Sequence, residues 1–494
     1  MVKKQKDSNT KKAVSKGFDE GDSRAGKIDA STIFETCTEQ LSPFGGLLGL
    51  IKFIDLIKLE EIFEKVYRRP TRETKLGDYR MVVGILMLLF IGFNRLWHFT
   101  YIRLDAMMCG FFRVGILPAA STFWRHVDSL GINQAASLLN VMRVLRERVW
   151  LLCGLSYKRI HLSTDTTVTT LYGDQEGGRK GYNPRNRGKK GYRPILCFID
   201  ETREYLIGKL RKGETLSGEE VGKFIKRIKD QLPECVKEVL FRGDGEFFSW
   251  ESVCACIKAG FDFIIANKKA SPPFEPDKWY KPRGKDVIEY NSCMHQPTGW
   301  EIACRFVAMR IPKHLEAVCK EPVQYELFED DRYIYRIFCT SLRGKAHKVI
   351  AQYDKRADVE NLVGEVKREG LSAIPSSKFK NNYAYFQIVM MAYNLWRYLK
   401  MMGEISDKGN DSETSKGSLQ GLADNQIRIA RLRLLLIAAK VVYHAGKDKV
   451  RYSIHDMRTQ GLMKFLNYLD EARSKVRPWI EGGQWRCRFS LNNV

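Results

Sequence analysis

The chain has 494 residues, too many for one ordinary core, so two to four domains are expected. Its 82 Lys and Arg against 58 Asp and Glu give a formal charge of +24, which points to a polyanionic partner, nucleic acid first and an acidic membrane second. The most apolar run, residues 81–93, is too short to span a bilayer, and no signal-like block opens the chain; the 12 cysteines include Cys254 and Cys256 at a spacing of two, with no C-x-x-C pair and no nearby histidine cluster. The composition therefore predicts a cytoplasmic protein with reduced thiols, no structural zinc and no membrane partner.

Residues 1–40 are polar and carry Lys3, Lys4, Lys6, Lys11 and Lys12, with little to bury, and read as a mobile basic tail. From 44 to 150 the apolar spacing is helical, with stop signals at Pro70, Gly77 and Pro118. This predicts five or six helices and an all-α N-terminal DNA-binding domain over 41–155. Within it, 118–126 reads as a capped helix start. Thr122, Arg125 and His126 would face DNA as in a helix-turn-helix reader, with ordinary bundle packing as the alternative.

The period changes at Arg159, where a strand leads to Asp165 in the context Ser163-Thr164-Asp165-Thr166. Residues 174–193 then set Arg179, Lys180, Arg185, Arg187, Lys189, Lys190 and Arg193 among glycines. Such a loop does not fold on itself easily; its charge and the aromatics Tyr182 and Tyr192 suit contacts with a DNA backbone, against the plainer reading of a solvated loop. Strands follow at 193–200 and 205–210, then a helix from Ser217 to about Leu232. A short strand at 239–241 ends at Asp244, which lies between two glycines. A helix at 250–259 and a strand at 261–267 complete the order three strands, helix, strand, helix, strand. That is the order of a ribonuclease-H-like core: α/β class, a mixed sheet with flanking helices, over 156–267 and 331–402.

Residues 268–330 break the pattern with repeated prolines, Trp279 and Trp300, and predict a β-rich insertion subdomain. A strand at 333–340 returns to the core. An apolar helix at 382–402 packs behind it, 403–425 reads as a linker, and 426–494 forms a C-terminal domain for DNA contact or dimerisation, with a hairpin around 445–448 and a last helix near 461–473.

Between strand and apolar helix lies the most informative stretch. Read as one helix at about 100° per residue, it sets Tyr353, Arg356, Glu360 and Lys367 within roughly 60° of one another. A carboxylate flanked by cations suits a metal-binding acid beside phosphate. An amphipathic surface helix with i,i+4 ion pairs is the plainer reading. With Asp165 and Asp244 there would be three carboxylates, able to hold two divalent cations about 3.5–4 Å apart for phosphodiester chemistry, Mg²⁺ or Mn²⁺ by the hardness of the ligands.

At this point the sequence resembles the DDE transposases of bacterial insertion sequences, in the group defined by Tyr, two residues, Arg, three residues, Glu, six residues, Lys. Tyr353, Arg356, Glu360 and Lys367 match that spacing, and the acids are separated by 244 − 165 = 79 and 360 − 244 = 116 residues, the long second gap fitting a β insertion. The resemblance implies that Asp165, Asp244 and Glu360 bind two catalytic Mg²⁺ ions, with Mn²⁺ able to substitute, and that Tyr353, Arg356 and Lys367 contact phosphates. It implies cleavage at terminal inverted repeats, a hairpin on the transposon end, joining to target DNA by a homodimer on DNA, and work on the bacterial nucleoid. An aromatic in the insertion, Trp279 or Trp300, would hold a flipped base. Asp200, Glu246 and Asp358 are the nearest other carboxylates, and Asp358 points away from Glu360 on the helix wheel. An inactive descendant that only binds DNA, and a host nuclease or resolvase that cuts without joining, are the alternatives.

Overall fold

Successive side chains of a strand point to opposite faces, so a sheet covered on both sides needs apolar residues at every position of its central strands. Residues 195–199, Ile-Leu-Cys-Phe-Ile, meet that condition and are all buried. The computed structural model describes residues 28–70, 74–181, 183, 186–284, 287–314, 332–407 and 417–481. The chain divides into two units, Met1–Gln40 and Leu41–Val494. In the first, the described residues 28–40 form no helix or strand, and Asp29 accepts a hydrogen bond from Ser31 N at 2.9 Å. Lys3, Lys4, Lys6, Lys11 and Lys12 of the expected tail lie outside the described residues.

The second unit opens with a short strand, Leu41–Ser42, which pairs with Lys440 and Ala439, and continues with helices α1 (Leu47–Leu56), α2 (Leu59–Val66), α3 (Asp78–Phe90), α4 (Phe99–Ile102), α5 (Ala106–Phe112), α6 (Ala120–Ser129) and α7 (Ile132–Leu152). Helix α6 starts where the sequence placed it, but His126 does not face DNA. Phe123, His126 and Val127 share the i, i+3, i+4 stripe that the bundle buries. His126 stands 3.8 Å from Asp78, and burial pushes its imidazole down to about 4. Arg125 is exposed and donates to Thr122 Oγ1 at 3.2 Å.

The large sheet has eight strands: β1 (Arg159–Thr166), β2 (Ile195–Ile199), β3 (Glu204–Lys209), β4 (Glu238–Gly243), β5 (Asp262–Ala266), β6 (Glu289–His295), β7 (Cys304–Pro312) and β8 (Tyr333–Thr340). Their order is β6-β7-β8-β5-β4-β1-β2-β3. β1, β4 and β5 run parallel, joined through helices α8 (Gly218–Lys229) and α9 (Trp250–Ala259); the other pairings are antiparallel. The strands at 289–295 and 304–312, expected in a separate subdomain, continue this same sheet through β8; residues 315–331 lie outside the described ones.

Helices α10 (Ala346–Asp354) and α11 (Asp358–Val366) follow β8, and α12 (Phe379–Ser406) comes after them. One sheet face sends Leu240, Ile264, Val307, Met309 and Phe338 against Val349, Ile350 and Tyr353 of α10. The alternate residues Phe241, Phe263, Ile265, Phe306, Ile337 and Cys339 join the main core. Helix α12 is apolar nearly all round because it is enclosed, and it also closes the β3 edge of the sheet. Asn394 accepts from Tyr205 N and donates to Tyr205 O, both at 2.8 Å, so the free edge of β3 finds its partners on a side chain.

A buried charge cluster ties α7, β3 and α12 together. Glu204 and Arg146 are both fully buried; Glu204 accepts from Arg146 Nε at 2.9 Å, Trp150 Nε1 at 2.7 Å, Thr202 Oγ1 at 2.9 Å and the Tyr398 hydroxyl. Residues 417–425, expected in a linker, are packed: Leu419 and Leu422 are buried and Arg433 donates to Ser418 O at 2.6 Å. Residues 408–416 lie outside the described ones. The described chain ends with the hairpin β9 (Ala439–His444) and β10 (Lys447–Tyr452) and helix α13 (Arg458–Glu481). No helix among the described residues is long and apolar enough to cross a membrane.

Candidate active site

Strands β1 and β4 bring the first two acids level. Their parallel register pairs Leu162 with Phe241 and Ser163 with Arg242. Two residues further along stand Asp165, near the end of β1, and Asp244, one residue past β4, level with each other on neighbouring strands about 4.8 Å apart. Asp244 is fixed by its own turn, its Oδ1 accepting from Glu246 N at 2.9 Å as the cap of the 3₁₀ turn Gly245–Phe247.

The stretch 353–367 is not one α-helix. Helix α10 ends at Asp354, a 3₁₀ turn spans Lys355–Ala357, α11 follows, and a π turn covers Lys367–Leu371. At three residues per turn the 3₁₀ segment advances about 20° more per residue than an α-helix, so Glu360 is rotated by about 60° from its place on a regular wheel. Tyr353 and Arg356 turn inward and are buried, while Glu360 is exposed and Lys367 half-buried. The Tyr353 ring packs on Phe338 at 4.5 Å.

Arg356 holds the acids. Its Nη2 donates to Asp165 Oδ1 at 3.0 Å and to Thr164 O at 2.9 Å, and stands 3.9 Å from Asp244 Oδ2. Burial pushes the Asp165 carboxyl up to about 7; Arg356 opposes the rise, while Asp244 and Glu360 add to it by repulsion. Asp244 is raised as well, by burial first. Burial works against the Arg356 charge too, yet Tyr353, Asp165 and Asp244 outweigh it and the guanidinium is held above its usual range. One cation is thus shared by two desolvated carboxylates. Among the described residues no three acidic, histidine or cysteine side chains are arranged around one point as metal ligands. The donor chemistry nevertheless fits a divalent cation, because all three acids offer hard oxygens, and Asp165 and Asp244 stand close enough to share one Arg356 nitrogen.

The neighbouring carboxylates are committed elsewhere. Asp200 pairs with Arg242, Asp358 with Arg203 Nε at 3.0 Å, and Glu246 with Arg193 and with Thr166 Oγ1 at 2.7 Å. Sequence reading missed Arg242, which donates to Ser163 Oγ at 2.9 Å and Gln352 O at 2.7 Å and so ties β1 and β4 to α10; burial lowers its guanidinium to about 10. It also missed Lys268, exposed just past β5, whose charge lowers the proton affinity of Asp244 and whose stem lies 3.3 Å from where a Gly245 Cβ would sit. A lysine following a strand parallel to those bearing the acids was the available signal.

The basic stretch 174–193 does fold on itself. Short strands Thr169–Thr170, Lys190–Tyr192 and Arg179–Lys180 form a sheet. Glycine makes this feasible: a Cβ on Gly213 would stand 2.4 Å from Gly191 O. Tyr192 is buried beneath, its hydroxyl donating to Glu176 O at 2.6 Å, and offers no ring to DNA. Arg179, Lys180, Arg187, Lys189 and Lys190 are exposed, with Arg179 3.3 Å from Glu214 and Lys190 2.9 Å from Asp174. Arg185 and Tyr182 lie outside the described residues. Of the two tryptophans, Trp279 has one ring face covered by the Arg310 guanidinium at 4.2 Å, and Trp300 packs with Phe248 and Trp250, just downstream of Asp244, at 5.3 and 5.6 Å.

Two acids level on parallel strands, beneath a helix that carries a third, suit an enzyme acting on a phosphodiester. The family comparison agrees: the chain matches the model of the transposase DDE domain, group 1, over residues 34–474, and belongs to that family. No curated protein matches the chain. Among solved structures it is similar to a piggyBac transposase synaptic complex with hairpin DNA, at 12% identity and a TM-score of 0.36, covering 78% of this chain and 85% of that one.

Proposed function

We propose that the chain is the DNA transposase of a bacterial insertion sequence. It binds the terminal inverted repeats, cleaves the ends by phosphodiester hydrolysis and transesterification through a hairpin, and joins them to target DNA as a homodimer on the nucleoid. The observation that carries the reading is the level placement of Asp165 and Asp244 on β1 and β4, with Arg356 between them and Glu360 about one helical turn beyond it. The strand order β3-β2-β1-β4-β5, with only β2 antiparallel to its neighbours in that set, supports a ribonuclease-H-like core.

Asp165, Asp244 and Glu360 would hold two Mg²⁺ ions, or Mn²⁺ in their place, which supply activation of an attacking oxygen and stabilisation of a leaving one. The chain's own residues do the rest. Arg356 neutralises the paired acids and turns to phosphate as DNA enters. Lys367 and Lys268 hold the scissile strand, and Tyr353 backs Arg356 from within the core. Arg179, Lys180, Arg187, Lys189 and Lys190 track the backbone, Arg125 contacts DNA from α6, and Trp300 is the better placed of the two tryptophans to stack on a flipped base.

Glu360→Ala tests the assignment: strand cleavage is lost while DNA affinity is kept. Asp358→Ala, which removes a carboxylate already paired with Arg203, leaves cleavage intact. Cleavage retained by pure Glu360→Ala protein would sink the metal assignment.

A further inference from the structure

The hairpin β9–β10 turns through Ala445 and Gly446, both at positive φ, and its register sorts the side chains by chemistry. Lys440 stands opposite Arg451, Val442 opposite Lys449 and His444 opposite Lys447, and directly opposed residues share a face. The other face takes Ala439 with Tyr452, Val441 with Val450 and Tyr443 with Asp448. That second face is the packed one. Val441, Val450 and Tyr452 lie against the core, and the Tyr452 hydroxyl donates to Gly45 O at 2.9 Å. The close approach depends on glycine, since a Cβ on Gly45 would stand 2.8 Å from the Tyr452 ring.

The first face therefore points outward. Lys447, Lys449 and Arg451 are exposed on it, and it carries no acid: the hairpin's one carboxylate, Asp448, is on the opposite face, exposed with Tyr443 near the turn, beyond the part that packs. Guarding a free strand edge against aggregation accounts for some charge on β10, but it is satisfied by charges of either sign. Here every outward position of β10, Lys447, Lys449 and Arg451, is a cation. Residues i and i+2 of a strand are about 6.7 Å apart, close to twice the roughly 3.4 Å axial spacing of phosphates along one DNA strand. Leu41 and Ser42 pair with Lys440 and Ala439 at the base of the hairpin; beyond them it is two-stranded, and a two-stranded ribbon fits the major groove, about 12 Å wide.

We propose that the outward face of the Ala439–Tyr452 hairpin is a DNA-binding ribbon in which Lys447, Lys449 and Arg451 contact the phosphates bordering a groove. The inference rests on the transposase reading and adds to it a contact surface away from the acids in sequence.

The test uses the full chain and a short mixed-sequence duplex, with affinity measured from about 50 to about 200 mM KCl. Lys447→Gln/Lys449→Gln/Arg451→Gln removes three phosphate contacts, so the slope of log K against log salt becomes shallower by about 2.7, and wild type loses roughly 40-fold more affinity across that range than the variant does. Lys447→Arg/Lys449→Arg keeps the wild-type slope. Lys226→Gln/Lys229→Gln, on the exposed side of α8, leaves the slope unchanged and controls for net charge. A wild-type slope in the triple variant overturns the ribbon, as does an equal loss per charge in the α8 variant. An unchanged slope with a smaller sedimenting species would assign the face to a second copy of the chain and likewise overturn it. Wild-type protein that fails to bind the duplex at low salt would remove the transposase reading itself, a different result from either.

Discussion

Asp165→Asn separates the stability of the site from its chemistry. Asp165 is held up to about 7 in the folded chain against 3.8 when unperturbed. The folded state thus binds this proton more tightly than the unfolded one, and stability falls as pH rises from about 4 to about 7. At 1.36 kcal/mol per pH unit, the ionised carboxylate costs about 4 kcal/mol above pH 7. The Asp165 side chain is 17% exposed, so water offsets part of that and about 2 kcal/mol remains. Asn keeps the shape and still accepts from Arg356 through its amide oxygen, without the charge. The second unit has 494 − 40 = 454 residues, so its unfolding entropy is on the order of 1 kcal/mol per degree if it melts as one body. In EDTA, the variant should melt about 2 °C above wild type at pH 8 and less than about 1 °C above it at pH 5; in Mg²⁺ it should not cleave DNA. A variant that melts below wild type at pH 8, or gains equally at both pH values, would refute the reasoning.

Arg146→Met should cost about 3–5 kcal/mol, because it leaves the fully buried Glu204 carboxylate without its cation; thermal melting beside the double variant Arg146→Met/Glu204→Leu checks this, the double being the more stable of the two. Lys400 is fully buried, and burial lowers its ammonium from 10.5 to about 7. The unfolded chain then holds that proton more tightly between about pH 7 and 10.5, so stability should rise with pH across that window. Lys400→Met should flatten the rise and raise the melting temperature at pH 7; an unchanged pH dependence would contradict it.

Much of the core was legible in the sequence because burial on both sheet faces writes continuous apolar runs. Residues 195–199 are of that kind, 333–340 showed as an alternating strand, and the hairpin around 445–448 was marked by Ala445-Gly446 between alternating residues. Asp244 stood out just past the short apolar run 239–241, and Asp165 at the end of a strand with Ile160 and Leu162 in alternation. What failed was whatever depends on how distant segments meet. Lys355-Arg356-Ala357 contains nothing that disfavours an α-helix, and the 3₁₀ turn arises where Arg356 reaches Thr164 O and Asp165. Tyr192 read as a surface group because it stands between Gly191 and Arg193 in a basic stretch, and His126 because it follows Arg125 at a capped helix start, yet the first is buried over Glu176 and the second against Asp78. Arg242 and Lys268 depend on sheet order, which local patterning does not encode.

The most direct test is cleavage and joining of a labelled duplex carrying the element's own end, taken from the DNA flanking the gene, in Mg²⁺, Mn²⁺ or EDTA. The triad reading predicts metal-dependent nicking, then a hairpin and a strand-transfer product, with none in EDTA. Specific binding without cleavage in either metal would contradict it and favour a chain that only holds the DNA ends.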